Sequence, residues 1–208
     1  MLALLTPIAK AFLTDNGHIA TNACMQVFGG HGFIKEWGME QFVRDNRINM
    51  IYEGTNTIQS LDLLGRKILG NNGATLKKFG KLVGALVAEE GVNEKMAEFI
   101  TPIAILGEQM TKFTTEIGFK GFQNPDEVGA AAVDYLRVAG HLVFGYFFAR
   151  MAQVALREIA AGNTDPFYVA KLQTARFYFS KLFPETATLM RTARTGSKVL
   201  MDTDAALA

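Results

Sequence analysis

One cysteine, Cys24, stands in a chain of 208 residues. No disulfide can form within the chain, and no set of thiolates can hold a metal. That scarcity fits a reducing compartment, and a cytoplasmic location is expected. Cys24 falls in an apolar helical pattern, so a buried, inert thiol is expected rather than a nucleophile. The three histidines, His18, His31 and His141, show no ligand spacing; each is expected to be structural, and no metal is expected. Charge of one sign is missing too. Twenty-one Lys/Arg face twenty Asp/Glu, a formal net charge of +1. Residues 1–70 hold six of each. Such a balance gives no electrostatic case for nucleic acid or an anionic membrane as partner. The opening MLALLTPIAKAFL has no basic flank, and its apolar run is too short for a signal peptide or a membrane span. Repeats and low-complexity segments are absent.

What is present is helical periodicity. Hydrophobic residues make up 49% and charged residues 20% of the chain, ordinary for a globular protein of one or two domains. Leu5, Ile8, Ala9, Phe12 and Leu13 share one helical face. Asp15-Asn16-Gly17 is expected to stop that helix, with a second one over 18–28. Gly29-Gly30-His31-Gly32 ends the second sharply, and a short helix is expected over 39–46. Ile48 to Tyr52 is too short for periodicity to assign. Thr55 suits an N-cap for a helix over 56–69, with Ile58, Leu61, Leu64 and Ile68 on its apolar stripe. Gly70-Asn71-Asn72-Gly73 is the clearest break, so domains are expected at 1–70 and 71–208. Helices are then expected over 74–89, 94–119 with Pro102 inside, and 124–161. A last one runs from Asp165-Pro166 to Phe183-Pro184 and resumes to about 201. Nothing alternates with strand period for long. The fold class is all-α, a helical bundle followed by a second helical domain.

Chemistry concentrates between Met25 and Gly65. Glu53 lies in Ile51-Tyr52-Glu53-Gly54-Thr55, where apolar neighbours predict a partly desolvated carboxylate. Desolvation raises a carboxyl pKa and suits a general base. A plain surface glutamate, favoured by the dipole of the following helix, competes with that reading. Gly54 lacks a Cβ, so a ligand can approach its main chain closely. Gly29 and Gly30 can expose N–H groups to phosphate oxygens, or can simply end a helix. Thr55, Asn56 and Thr57 can line a ligand or cap. Arg44 and Arg47 can pair with Asp45, Glu40 or a ligand phosphate, of which structural ion pairs are expected, and Trp37 is expected to pack.

Two of these strings, QVFGGHGF at 26–33 and Arg44-Asp45 followed by IYEGTN at 51–56, resemble the C-terminal part of acyl-CoA dehydrogenases. The resemblance covers about residues 2–69. It implies an enzyme that desaturates acyl-CoA thioesters, with FAD as cofactor and an electron-transfer flavoprotein as acceptor. By the same resemblance Glu53 removes the α-proton, its backbone N–H and Gly54 meet the thioester, and the β-hydride passes to the flavin. Gln26, Val27, Phe28, Gly29 and Gly30 match the segment that binds the adenylate half of FAD, often across a subunit interface. Thr55, Asn56 and Thr57 match the stretch lining the flavin. Phe33 stands where Tyr is frequent. A Glu at position 53 argues against subfamilies that carry the base on another helix. The extra helices after position 70 resemble the branch with methylthiopropanoyl-CoA dehydrogenases, mainly through WGMEQ, VRD, IYEGTN and LDLLGRK.

Family members carry a helical and a β domain before this region, so the chain is expected to be a fragment that neither retains FAD nor turns over alone. An alternative is a non-catalytic helical oligomerisation module. It draws on the aromatic set Phe144, Tyr146, Phe147, Phe148, Phe167, Tyr168, Phe177, Tyr178, Phe179 and Phe183. Neighbouring aromatics cannot share one helix face, so a thick core and a subunit interface fit that set equally well. A homo-oligomer is expected on either reading.

Overall fold

The computed structural model describes residues 1–202, and the last residues of the expected second domain lie outside that range. Among the described residues every regular element is a helix or helical turn. The all-α class therefore holds.

Helix α1 runs unbroken over Leu2–Val27. The expected stop at Asp15-Asn16-Gly17 does not occur. Asn16 turns its amide back onto the Phe12 carbonyl at 2.7 Å, a bond compatible with continued helix. Gly17 keeps negative φ, and a Cβ there would sit 3.3 Å from the Asn46 side chain. Its small size lets the helix α3 (Met39–Arg47) pack close. Between them lie the short α2, Gly30–Phe33, and a 3₁₀ turn over Lys35–Trp37. Ile48–Met50 forms another 3₁₀ turn.

Helix α4 begins at Asn56 as the pattern predicts, but after Leu61 it widens into π-helix over Asp62–Ile68. The wider turn shifts the face that packs inward. Leu63, Leu64 and Ile68 are fully buried, whereas Ile58 and Leu61 stay exposed, so only half of the expected stripe is core. Thr55 occupies the N-cap position without using its side chain to cap.

The punctuation of the second half predicts its helices well. Helix α5 is Ala74–Glu90, α6 is Ala97–Gln123 and α7 is Asp126–Ala160. Helix α8 is Pro166–Phe177, with the Asp165 carboxylate accepting from the Phe167 N–H at 2.9 Å. That cap satisfies one of the free donors of the first turn. A π-helical turn over Tyr178–Leu182 leads to α9 (Glu185–Ala193) and α10 (Lys198–Met201).

Helix α7 is the axis. It packs against α1, α4, α6, α8 and α9. Its row of small residues, Ala131, Ala132, Ala139, Gly140, Gly145, Ala149 and Ala152, is buried. Small side chains let the surrounding helices approach closely. A Cβ on Gly140 would lie 2.4 Å from the Phe12 ring, and one on Gly145 would meet Phe183 at 2.8 Å and Ile103 at 2.9 Å. Most of the aromatic set is core. Phe144 meets Phe12 edge-on at 4.9 Å, and Phe148 stacks on Tyr178 at 4.4 Å. Phe147, Phe167 and Phe177 face out. One hydrophobic core thus runs from Leu4 to Ala193, across the glycine-rich break at 70–73.

Candidate functional site

The Glu53 turn is built from the backbone outward. Glu53 has φ 54° and Gly54 φ 82°, two successive left-handed residues. Glycine accepts that conformation freely, but a glutamate does not. Strain of this kind persists only where neighbours hold it, and it concentrates at functional sites. Gln59, one turn into α4, is the holder. Its Nε2 donates to the Glu53 carbonyl at 3.0 Å. A Cβ on Gly54 would sit 3.1 Å from that same Nε2, so this position also needs glycine for the turn itself.

The start of α4 is pinned to α1 through Asn56. Its Nδ2 donates to Asp15 Oδ1 at 2.6 Å and to Thr14 Oγ1 at 3.0 Å. Its Oδ1 accepts from Lys10 Nζ at 2.7 Å. The Lys10 ammonium also lies 5.9 Å from the centre of the Tyr52 ring, within cation–π range. The Asn56 side chain therefore has polar partners within the chain. Lys10, Asp15 and Gln59 escaped the sequence reading. The signal for Gln59 was its place six residues after Glu53, within reach of the preceding turn.

Glu53 is exposed, and Ile51 and Tyr52 are each 47% exposed. Among the described residues nothing supplies the expected desolvation. Its apolar neighbours point outward with it. A crevice of about 300 Å³ runs beside the turn, between Asp15, Arg47, Thr55, Asn56, Thr57 and Arg137. It brings Thr55, Asn56 and Thr57 together but does not include Glu53. Arg47 donates to Met50 Sδ at 3.3 Å, and the expected pairing of these arginines is realised by Arg44 with Glu40 at 3.7 Å.

The glycine turn has its own logic. Gly29 adopts φ 60°, ψ −144°, and Gly32 is buried so tightly that a Cβ would come 2.3 Å from the Met25 carbonyl oxygen. Both serve the turn. Gly30 has neither need, since its φ is negative and a Cβ would meet nothing within 4 Å. Gln26, Val27, Phe28, Gly29 and Gly30 are all exposed. Cys24 is exposed beside them, contrary to the expected buried thiol, because among the described residues no element covers that side chain on α1. Trp37 is 59% exposed, with the His31 ring edge-on at 5.2 Å. Val27, Phe33, Trp37, Phe42, Ile51 and Ile58 are likewise exposed large apolar side chains. Among the described residues no helix is long and apolar enough to cross a membrane.

A continuous helical core thus carries a strained Glu-Gly turn on its surface. The chain belongs to the acyl-CoA dehydrogenase family. Residues 3–69 match the family's "Acyl-CoA dehydrogenase, C-terminal domain", and residues 75–204 match "Acetyl-CoA dehydrogenase C-terminal like". It is 33% identical to 3-methylmercaptopropionyl-CoA dehydrogenase of Ruegeria pomeroyi, over 96% of this chain and 34% of that protein. It is 26% identical to the broad-specificity linear acyl-CoA dehydrogenase FadE5 of Mycobacterium tuberculosis, over 98% of this chain and 35% of that protein. A butyryl-CoA dehydrogenase of Syntrophomonas wolfei is 29% identical over 88% of this chain and 31% of its own length. The chain spans about a third of the length of these relatives.

Proposed function

We propose that this chain is the base-bearing C-terminal part of a cytoplasmic acyl-CoA dehydrogenase, and that Glu53 removes the α-proton of a bound acyl-CoA. The observation that carries the reading is the left-handed Glu53, strained, exposed and held at its carbonyl by Gln59. A glutamate kept merely for solubility has no reason to bear that strain.

The chain's own residues fit one wall of a flavin site. Gly30 gives unobstructed access to its backbone, and Gln26, Val27, Phe28 and Gly29 flank it on an open surface. These residues would hold the adenylate end of FAD, and Thr55 and Thr57 the flavin end with Asn56 locking the helix start. FAD, when bound, supplies the hydride acceptor. The Gly54 turn lets the thioester approach the main chain, where the Glu53 N–H steadies the developing enolate charge. The α-proton goes to the Glu53 carboxylate. Water is excluded, and that carboxylate made more basic, when another surface covers Ile51 and Tyr52. The upstream domains, or a second copy in a homo-oligomer, provide that cover. The division at 70–73 then separates the flavin-facing part from an added bundle at 71–208. Reoxidation falls to an acceptor such as an electron-transfer flavoprotein.

The test joins this chain to the upstream domains of the Ruegeria pomeroyi relative. Glu53→Gln is expected to lower turnover by about 10²–10⁴-fold, the usual worth of a general base, while flavin absorbance stays. Turnover retained in that variant would remove Glu53 from the role. The 208-residue chain alone, given FAD and acyl-CoA, is expected to reduce no electron acceptor.

A further inference from the structure

Away from the Glu53 turn, a groove of about 1260 Å³ opens between α5 and α6. That is above the roughly 300–1,000 Å³ of ordinary small-molecule sites. Along α5 it extends from Gly73 to Val87, about 21 Å at 1.5 Å per residue. Leu69 and Leu142 contribute to its apolar lining.

Glycines keep it open. Within a helix glycine is less stable than alanine, and close approach of a neighbour is the usual compensation. That compensation operates at Gly118 and Gly121, where a Cβ would come within 3.2 Å of Leu69 and 2.5 Å of Val128. At Gly80 and Gly84 it does not, since among the described residues a Cβ would meet nothing within 4 Å. These two glycines hold the α5 wall back from space that side chains would otherwise fill.

The walls offer little to a polar ligand. The hydroxyls of Thr111, Thr114 and Thr115 donate to the carbonyls one turn earlier at 3.2, 2.6 and 3.0 Å, so these donors are committed within α6. The rim is different. Lys77 and Lys81 stand one turn apart on α5, exposed, and among the described residues neither has a carboxylate within 4.0 Å. Glu108 is the acid on the α6 rim, leaving the rim with a net positive charge.

We infer that this groove binds a long-chain fatty-acyl amphiphile, its alkyl chain along the α5–α6 seam and its anionic head at Lys77 and Lys81. A trough this long, apolar on its walls and cationic on its rim, complements that shape and charge. The site is separate from the Glu53 turn and does not depend on the role proposed for it.

The 208-residue chain would be titrated with cis-parinaric acid, a fluorescent fatty acid, and the probe displaced with palmitate or with hexadecanol. Saturable one-to-one binding is expected, with palmitate displacing at least tenfold more effectively than the uncharged alcohol. Gly84→Leu fills open space, so its melting temperature is expected to hold or rise while probe affinity falls at least tenfold. Lys77→Glu with Lys81→Glu, on the exposed rim, is expected to erase the preference for palmitate. Absence of saturable binding overturns the inference, as does affinity unchanged in folded Gly84→Leu. If Gly84→Leu does not fold, an undiminished preference for palmitate in the lysine variant overturns it instead. A concentration-dependent dimer that Gly84→Leu dissociates, with no fatty-acid binding, would give the groove to a second copy and overturn it too.

Discussion

Gln59 reaches back over its own helix start to hold Glu53, Nε2 to carbonyl oxygen at 3.0 Å, while Glu53 sits at φ 54°. The contact fixes the one glutamate whose backbone is unfavourable for its residue type. Left-handed backbone costs an ordinary residue about 1–2 kcal/mol, a cost that glycine escapes. Glu53→Gly is therefore expected to stabilise the chain by about 1 kcal/mol, read as a higher urea midpoint at unchanged slope. Gln59→Ala is expected to act oppositely, by about 1 kcal/mol for a lost hydrogen bond. Unchanged stability in Glu53→Gly would show that the turn carries no strain and would remove the main support for a functional Glu53.

His141 gives the fold an acid-sensitive point. It is buried, its Nδ1 lies 2.9 Å from the Tyr178 hydroxyl, and among the described residues its Nε2 has no hydrogen-bond partner. Burial pushes its pKa below the usual histidine value; Glu185, 3.6 Å from Nε2, opposes that and Arg137 adds to it. The unfolded chain then binds a proton that the folded one resists. Stability is complete above about pH 6.5, the unfolded histidine value, and is lost as pH falls toward the lower folded pKa. Urea midpoints measured from pH 8 to pH 5 are expected to decline below 6.5, by at most about 1.4 kcal/mol per pH unit from this group. His141→Gln is expected to flatten that part of the profile.

Thr114 and Tyr135 test a different asymmetry. The fully buried Tyr135 hydroxyl has Thr114 Oγ1 at 2.6 Å, and Thr114 also bonds the Met110 carbonyl at 2.6 Å. In Tyr135→Phe the threonine keeps its second partner, so the cost should stay near 1 kcal/mol. Thr114→Val strands a buried phenol and should cost about 1–3 kcal/mol. Thermal melts of the two variants rank them, and the reverse order would mean that Tyr135 has another partner.

Particular residues show how far the sequence reading reached. Asp165-Pro166, Asn124-Pro125-Asp126 and Gly162-Asn163 predicted helix ends because each residue acts locally, through a cap or a fixed φ. Asp15-Asn16-Gly17 misled because its use is tertiary, with Gly17 making room for Asn46. The π-helix at 62–68 left no trace in the periodicity, so the expected stripe rightly holds Leu64 and Ile68 but includes the exposed Ile58 and Leu61 and omits the buried Leu63. In the candidate site, IYEGT was legible as a motif. The exposure of Glu53 was not, because apolar neighbours in sequence predict burial only where other elements pack over them, and Ile51 and Tyr52 face outward.

Phe12 and Gly140 bear on the two-domain division at 70–73. The Phe12 ring meets His141 and Phe144 edge-on, both at 4.9 Å, and lies where a Gly140 Cβ would be 2.4 Å away. Leu4, Ile8, Phe12, Leu63, Leu64 and Ile68 belong to the same core as α7. A piece ending at position 70 would leave these side chains without α7, at about 1.5–3 kcal/mol of lost burial for each large one. That loss is large against the stability of any domain of this size. Residues 1–70 alone are expected to show little helix by circular dichroism. Residues 71–208 are expected to remain helical but to bind an apolar dye at the α7 face that Phe12 normally covers. Gly140→Ala in the whole chain strains the same seam and is expected to cost about 1–3 kcal/mol. A stably helical 1–70 piece together with a silent Gly140→Ala would mean that the two parts fold independently and that the shared core contributes nothing to either.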